Sequence, residues 1–233
     1  LAADRPACAR AAFLVSPAGA ELAVQSASDN AYMDLKQVFR TDRARAQHQA
    51  LQRALASELP VLSFAGDPEA PDGMFPNNVF ATAPGRLILG RMRHPVRQRE
   101  AERPDIRAFF TGLLGYAELD LRDGEVGELT GSLVIDRARG IGYAGLGERC
   151  TPAAAQSMVQ AFGLRALLCA DLAAGEYHTN VVLSVLAGRM VVICADGFAD
   201  PSAAEAIAAV YAPHVLWLEP APKNAFAANC ISL

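Results

Sequence analysis

The sequence predicts an α/β fold built from a repeated unit of helix, single strand and β-hairpin. Three observations indicate this: segments with a helical period, short apolar runs that follow them, and paired β-branched runs joined by a glycine. Four β-branched and aliphatic runs open on a polar residue or glycine at spacings of 53, 49 and 49 residues, at Asn78, Gly131, Asn180 and Asn229, and the first three are followed by a glycine and a second apolar run. A recurring period of this size is typical of repeat architectures.

The predicted helices share an apolar period. They span residues 43–59, 105–114, 152–162 and 201–210. Thr151 and Asp200 each precede a proline, so the third and fourth helices begin with a capping side chain and proline at the first helical position. Leu51, Leu55 and Leu59 recur every four residues, which predicts one buried stripe on the first helix.

A short strand follows each helix, and a hairpin follows each strand. The strands are residues 60–64, 116–121, 165–171 and 214–219. Gly85, Gly140 and Gly188 stand between the two apolar runs of the first three hairpins, as tight turns require. The fourth copy breaks off at Leu233, before a turn glycine, and would leave an unpaired strand edge. We therefore expect 1–233 to be a single domain with four visible repeats, incomplete at its C-terminus.

The amino-acid composition excludes several classes of protein. The 233 residues are 52% hydrophobic with a net charge of -4, which excludes a disordered chain and argues against a nucleic-acid or anionic-membrane partner. No run approaches the ~20 apolar residues of a membrane span. Five cysteines and four histidines show no metal-ligand spacing, so we expect no metal. A soluble cytoplasmic protein is the expectation.

Polar residues with acid/base potential gather just before the hairpins. Asp72, Asn77 and Asn78 precede the first hairpin, Glu128 the second and His178 the third. Equivalent positions of repeats arranged around one axis meet at one end of that axis, so we expect these residues to share a pocket. Two carboxylates and a histidine would form an acid/base set. The alternative is that each residue only caps a strand or satisfies a loop backbone group.

Five segments, in order, resemble the guanidino-group modifying superfamily. They are PDGMFPNNVF (71–80), GELTGSLVID (127–136), GYAGLGERC (142–150), GEYHTNVVLSV (175–185) and FAANC (226–230). This group contains dimethylarginine hydrolases, arginine deiminases and amidinotransferases, and the sequence is most similar to amidinotransferase-related proteins near the citrulline-utilisation hydrolases. The resemblance covers about residues 13–233 and implies a pseudo-five-fold α/β propeller of αββαβ units, the pentein fold, whose last blade is missing from this chain.

The resemblance also implies a chemistry. A cysteine thiolate attacks the central carbon of a guanidino or ureido group in arginine, methylated arginine or citrulline, an amine leaves, and water completes hydrolysis without any cofactor. His178 matches the general acid/base, and Glu128 matches the carboxylate that grips the guanidino nitrogens. Asp72 matches a further nitrogen ligand, because guanidinium presents donors in a planar fork. Arg149 matches the arginine that pairs with the substrate α-carboxylate. Arg97 lies where relatives place a basic residue, although we favour a solvated surface charge for it.

Two departures from the family pattern bear on function. Dimethylarginine hydrolases carry acidic residues where this chain has Asn77 and Asn78, and neutral amides suit a neutral ureido group such as that of citrulline. The nucleophilic cysteine of the family lies in the fifth blade, so we expect it beyond Leu233.

The cysteines of this chain are assigned other roles. Cys169 and Cys194 sit in apolar runs and are expected to be buried and inert. Cys150 could lie near the pocket, Cys8 belongs to a terminus, and Cys230 matches a family position that holds a non-nucleophilic residue.

Two rival functions stay open. One is a catalytically silent binding protein with the same propeller, like an anti-association factor that contacts the ribosome; the other is amidino transfer to an amine. The predicted grouping of polar residues favours catalysis, because a binding protein does not need Asp72, Glu128 and His178 together at the mouth of one pocket. We expect a small guanidino or ureido amino acid as partner, and a homodimer is compatible with the sequence.

Overall fold

Eleven strands form three three-stranded sheets and one two-stranded sheet within residues 6–36 and 38–233, the part of the chain that the computed structural model describes. The strands are β1 (Ala12–Val15), β2 (Val61–Phe64), β3 (Phe80–Ala83), β4 (Arg86–Leu89), β5 (Ala117–Asp120), β6 (Leu133–Asp136), β7 (Ile141–Leu146), β8 (Ala166–Asp171), β9 (Leu183–Leu186), β10 (Met190–Ile193) and β11 (Val215–Trp217).

Helices and single turns connect these strands. The α-helices are α1 (Val24–Ala27), α2 (Thr41–Ala56), α3 (Pro95–Gln98), α4 (Pro104–Ala108), α5 (Leu129–Ser132), α6 (Pro152–Phe162), α7 (Thr179–Val182), α8 (Pro201–Ala209) and α9 (Pro220–Asn224). Short 3-10 turns occur at Pro76–Asn78, Arg99–Glu102 and Ala195–Gly197, and a π turn at Phe109–Leu113 continues α4. No helix in the described ranges has the length and apolar character needed to cross a membrane.

Each three-stranded sheet joins an antiparallel hairpin to a parallel strand. The orders are β3-β4-β5, β6-β7-β8 and β9-β10-β11, and β1 pairs in parallel with β2. The predicted succession of helix, strand and hairpin is confirmed, but each hairpin pairs with the strand of the following unit. Gly85, Gly140 and Gly188 occupy the hairpin turns with φ of 69°, 65° and 66°, a region that only glycine adopts without strain.

The predicted caps of two helices are present. The Thr151 hydroxyl accepts a hydrogen bond from the Ala154 N–H at 3.2 Å, and α6 spans the predicted residues. Asp200 Oδ1 accepts from the Ser202 N–H at 2.9 Å, and α8 ends one residue before the predicted end. Local sequence therefore determines where these two helices begin.

The prediction of a buried stripe on the first helix is wrong. None of the described side chains of α2 is buried, and Leu51 is 51% exposed. α2 contacts β2 of the two-stranded sheet, which offers a smaller apolar face than a three-stranded sheet does. A helical period shows which residues share a face, but not how much of that face the neighbours cover.

The fourth repeat also differs from its prediction. Residues 226–233 are described and contain no strand. They lie along β9 through side chains: Ser232 Oγ accepts from the Ala187 N–H at 2.9 Å, and Cys230 Sγ lies 2.9 Å from Ser184 Oγ. A backbone ladder, which a strand requires, is therefore replaced here by side-chain contacts.

Three apolar clusters fill the space between sheets and helices. One packs α6 residues such as Met158 against Leu133 of β6, and a second packs α8 against β9 and β10. Cys194 is buried as expected, but the expectation that Cys169 is buried is wrong. β8 contains no fully buried residue, so an apolar run in the sequence does not ensure that Cys169 is covered.

Candidate active site

Three short turns, each just before a hairpin, lie side by side. The 3-10 turn that ends at Asn78 and helix α7, which follows His178, both contact α5, which follows Glu128. Gly131 in α5 makes this approach possible. A Cβ added there would lie 2.5 Å from Asn78 Oδ1 and 2.8 Å from His178 Cε1. The hairpin-preceding positions of three repeats therefore meet at one place.

Glu128 and His178 form a buried pair. Glu128 Oε2 lies 2.7 Å from His178 Nε2, and Oε1 accepts from the backbone N–H of Arg93 at 3.1 Å. Burial by itself raises the pKa of Glu128, but the hydrogen bond to His178, the charge that His178 carries in the acidic range where Glu128 titrates, and the charges of Arg149 and Arg97 outweigh it and lower the pKa to about 2. Glu128 is therefore ionised at neutral pH.

His178 is a neutral imidazole at pH 7. Its burial lowers the pKa, and the positive charges of Arg149 and Arg97 act in the same direction, so that Glu128 does not reverse the shift. Because an ionised Glu128 can only accept, Nε2 of His178 carries the hydrogen and Nδ1 keeps a free lone pair. His178 is thus prepared to take up a proton at Nδ1.

Arg149 forms ion pairs with two carboxylates, those of Asp29 and Glu128. Its Nε donates to Asp29 Oδ2 at 3.2 Å, Nη1 lies 3.4 Å from Glu128 Oε2, and Nη2 donates to the carbonyl oxygen of Ser26 at 2.9 Å. Its guanidinium carbon lies 5.0 Å above the ring of Tyr177. Burial opposes the charge, but the hydrogen bond to Asp29 and the two carboxylates raise the pKa of Arg149.

Arg97 is not a solvated surface charge, and that interpretation is wrong. It is 3% exposed, donates to both oxygens of Glu100 at 2.9 and 2.8 Å, and donates to the Phe75 carbonyl oxygen at 2.9 Å. The consecutive turns of α3 and Arg99–Glu102 bring Arg97 and Glu100, three residues apart, to the same side. A charge run in a sequence does not reveal such internal pairing.

A cavity of about 820 Å³ opens beside these residues. The predicted residues that line it are Asp72, Asn77, Asn78, Arg97, Arg149 and His178. Glu128 lies behind His178 and is not part of the cavity wall. Asp72 accepts from the Ser26 hydroxyl, whereas Asn78 Oδ1 is buried without a hydrogen-bond partner among the described residues.

The cysteines differ in their access to the cavity. Cys8 and Cys230 line it. Cys150 is buried, and burial raises the pKa of its thiol to about 12, which opposes thiolate formation. Cys194 is buried as well, and Cys169 lies on β8 outside the cavity wall. Among the described residues, no group of three or more His, Cys, Asp and Glu side chains could hold a metal ion.

Sequence reasoning missed three residues of the site. Ser26 and Asp29 come from the segment around α1 and reach Asp72 and Arg149 across 46 and 120 residues of sequence, so no local motif could have revealed them. Tyr177 lies directly before His178 in the GEYHTN segment, and that adjacency was the available signal.

The amino-acid sequence matches the model of a known protein family. The family described as N,N dimethylarginine dimethylhydrolase, eukaryotic, matches residues 16–233. The chain belongs to this family. It is thereby a member of the guanidino-modifying superfamily. A search of curated proteins found no match.

Solved structures agree with the dimethylarginine hydrolase assignment at the level of the fold. The N-terminal domain of ArgZ, an arginine dihydrolase of the ornithine-ammonia cycle in cyanobacteria, matches with a TM-score of 0.81 and 21% identity over 94% of this chain and 79% of that one. AgrE, in complex with ornithine and NAD+, matches with a TM-score of 0.81 and 22% identity over 95% of this chain.

A third match is a dimethylarginine dimethylaminohydrolase variant carrying an S-methyl-L-thiocitrulline adduct. It has a TM-score of 0.69 and 17% identity over 94% of this chain and 80% of that one. The chain spans about a third of the AgrE chain, 32% of its length. These likenesses show that the mixed α/β fold matches pentein-fold structures over most of the chain.

Proposed function

We propose that this protein hydrolyses a guanidino or ureido C–N bond of an arginine-like amino acid, namely arginine, a methylated arginine or citrulline. The observation that carries the proposal is the Glu128–His178 pair, held at 2.7 Å next to the cavity that Asp72 and Asn78 line. The cavity volume of about 820 Å³ falls in the range that small-molecule sites occupy. Membership of the dimethylarginine hydrolase family supports the same class of reaction.

His178 is the proposed proton carrier. Nδ1 first takes the proton of the attacking thiol, and the thiolate then bonds to the central carbon of the substrate. The imidazolium returns that proton to the leaving nitrogen, whose C–N bond breaks as the amine departs. Neutral His178 next removes a proton from water, which attacks the covalent intermediate, and the C–S bond breaks to release a ureido product from a guanidino substrate or a carbamate from a ureido substrate. The returning thiolate recovers the proton, so that the cycle closes.

The other residues bind and orient. Asp72 presents a carboxylate oxygen to substrate N–H groups, and Asn78 lines the same cavity with its Oδ1 packed against Gly131. Glu128 holds His178 in its Nε2–H form and balances the imidazolium charge. Because Glu128 is completely buried outside the cavity wall, it acts on the substrate through His178 and not by the direct grip that the resemblance implies. Arg149 is the proposed contact of the substrate α-carboxylate, and Asn77 and Arg97 are proposed to contribute to binding.

None of the five cysteines is the proposed nucleophile. Cys230 matches a family position that holds a non-nucleophilic residue, and its thiol lies 3.7 Å and 3.9 Å from the carbonyl oxygens of Ala228 and Ala227. Cys8→Ser and Cys230→Ser should therefore each retain turnover within about threefold of the unsubstituted protein. A loss of more than a hundredfold in either variant would identify that cysteine as the nucleophile.

Product analysis tests the proposed function. The protein is incubated with L-arginine, dimethylarginine, L-citrulline or agmatine, with and without an amine acceptor, and products are identified by mass spectrometry. Release of ammonia or a methylamine in water supports hydrolysis. Formation of a new guanidino compound only with the acceptor would instead indicate amidino transfer. Failure of calorimetry to detect binding of any of the four compounds would overturn the proposal.

A further inference from the structure

The ring of Tyr177 lies between two charged or ionisable groups of the site. Its centroid is 4.6 Å from that of His178 at an interplanar angle of 44°, and the guanidinium carbon of Arg149 is 5.0 Å from it. Both distances are in the ranges of favourable ring–ring and cation–π contacts. Because Glu128 bonds to both His178 and Arg149, the four side chains form a closed ring.

We infer that Tyr177 is a positioning residue, which fixes the plane of the His178 imidazole so that Nε2 faces Glu128 and Nδ1 faces the reacting groups. This inference rests on the proposed function for its catalytic meaning, since a defined Nδ1 matters only if His178 moves protons.

One hydrogen bond cannot fix the imidazole. The terminal torsion of histidine is broad, so the ring can turn while Nε2 stays near Glu128 Oε2. The Cε1 and Nδ1 edge of the ring packs against Gly131, which has no side chain to cover a face of the ring. The face contact with Tyr177 supplies the missing restraint, and Arg149 supports the tyrosine ring.

Tyr177 is itself anchored by residues distant in sequence. The ring of Tyr32 packs on it at 5.9 Å. The Tyr32 hydroxyl donates to Glu176 Oε2 at 2.8 Å and accepts from Lys223 Nζ at 2.9 Å, and Lys223 also forms an ion pair with Glu176. The residue just before Tyr177 is thus held by α9 and by the segment that follows α1.

Replacing the ring should alter His178 in a defined direction. The groups that act on His178 are Glu128, Arg149 and Arg97, together with the burial that Tyr177 helps to provide. In Tyr177→Leu, water reaches the imidazole, so the pKa of His178 rises towards its ordinary value of 6.5, and the Nε2–H form no longer dominates. In Tyr177→Phe the ring remains, and both properties stay as in the unsubstituted protein.

Nuclear magnetic resonance of the histidine ring nitrogens measures both properties without any need for turnover. His178 is assigned by the loss of its signals in His178→Gln. Tyr116→Leu is the matched control, because Tyr116 is also half-buried and packs on Phe110 at 5.7 Å, in a different cluster. If the proposed reaction occurs, kcat of Tyr177→Leu also falls by about tenfold while KM changes less than about threefold.

The inference is overturned if Tyr177→Leu keeps the Nε2–H form and the titration of the unsubstituted protein, or if Tyr177→Phe changes as much as Tyr177→Leu. Should circular dichroism show Tyr177→Leu to be unfolded, Tyr177→Met replaces it with the same criteria. If the nitrogen spectrum of Tyr177→Leu is unchanged, the positioning role of Tyr177 is contradicted. If the spectrum changes but the unsubstituted protein turns over no guanidino compound, only the proposed function is contradicted.

Discussion

Replacing Glu128 by glutamine should make the protein less sensitive to acid. Glu128 is completely buried, and its pKa is lowered to about 2. A carboxyl group with a lower pKa in the folded than in the unfolded protein stabilises the fold above its unfolded pKa. This contribution is lost as the pH falls towards the folded pKa. Glu128→Gln lacks the ionisable group and therefore lacks this pH-dependent part of the free energy of unfolding.

The magnitude follows from the two pKa values. A decrease from 4.5 to about 2 corresponds to about 3 kcal/mol, since each pKa unit is worth about 1.4 kcal/mol. About 2 kcal/mol of this is lost between pH 5 and pH 3. Urea unfolding followed by circular dichroism at these two pH values gives the free energy of unfolding of both proteins. The stability difference between wild type and Glu128→Gln should shrink by about 2 kcal/mol at the lower pH.

Glu125→Gln is the matched control. Glu125 is exposed in the loop that leads to Glu128, so its replacement should alter stability by less than about 0.5 kcal/mol at both pH values. If the difference between wild type and Glu128→Gln is the same at pH 5 and pH 3, Glu128 is not held ionised by His178, Arg149 and Arg97, and the electrostatic account of the site is refuted.

Three other substitutions test separate parts of the site. Gly131→Ala should lower kcat by about tenfold or more, because its Cβ would meet Asn78 and His178, whereas Gly112→Ala, which meets nothing within 4 Å, should stay within about twofold in the same assay. Asn78→Asp should raise the preference for a cationic guanidino over a neutral ureido substrate by about fivefold in kcat/KM, because a negative charge in the cavity wall attracts a cation by about 1 kcal/mol; an unchanged ratio would contradict the role of Asn78. Arg149→Ala should raise KM for amino-acid substrates and spare agmatine, and an equal rise for both would exclude α-carboxylate binding by Arg149.

Local signals in the sequence predict much of this fold. Gly85, Gly140 and Gly188 identify the hairpin turns because their positive φ is a property of the backbone alone. Thr151 and Asp200 identify helix starts because a cap acts within three residues. The exposure of α2 depends on which sheet it meets, and that information is not local.

The candidate site also combines residues that the sequence predicts with residues that it could not predict. The shared repeat position of Asn78, Glu128 and His178 predicts their proximity, because equivalent turns adjoin in the structure. The partners Ser26 and Asp29 come from a segment outside the repeat and could not be predicted. The five-bladed symmetry and the missing last blade stay predictions.

The most direct test of the account compares turnover of His178→Ala and His214→Ala on the guanidino or ureido substrate that the protein accepts. His178 is buried against Glu128, and His214 is exposed just before β11. The account predicts a loss of at least about a hundredfold in kcat for His178→Ala, with an unchanged circular dichroism spectrum, and near-normal kcat for His214→Ala. A folded His178→Ala protein with near-normal kcat would contradict the proposed acid/base role.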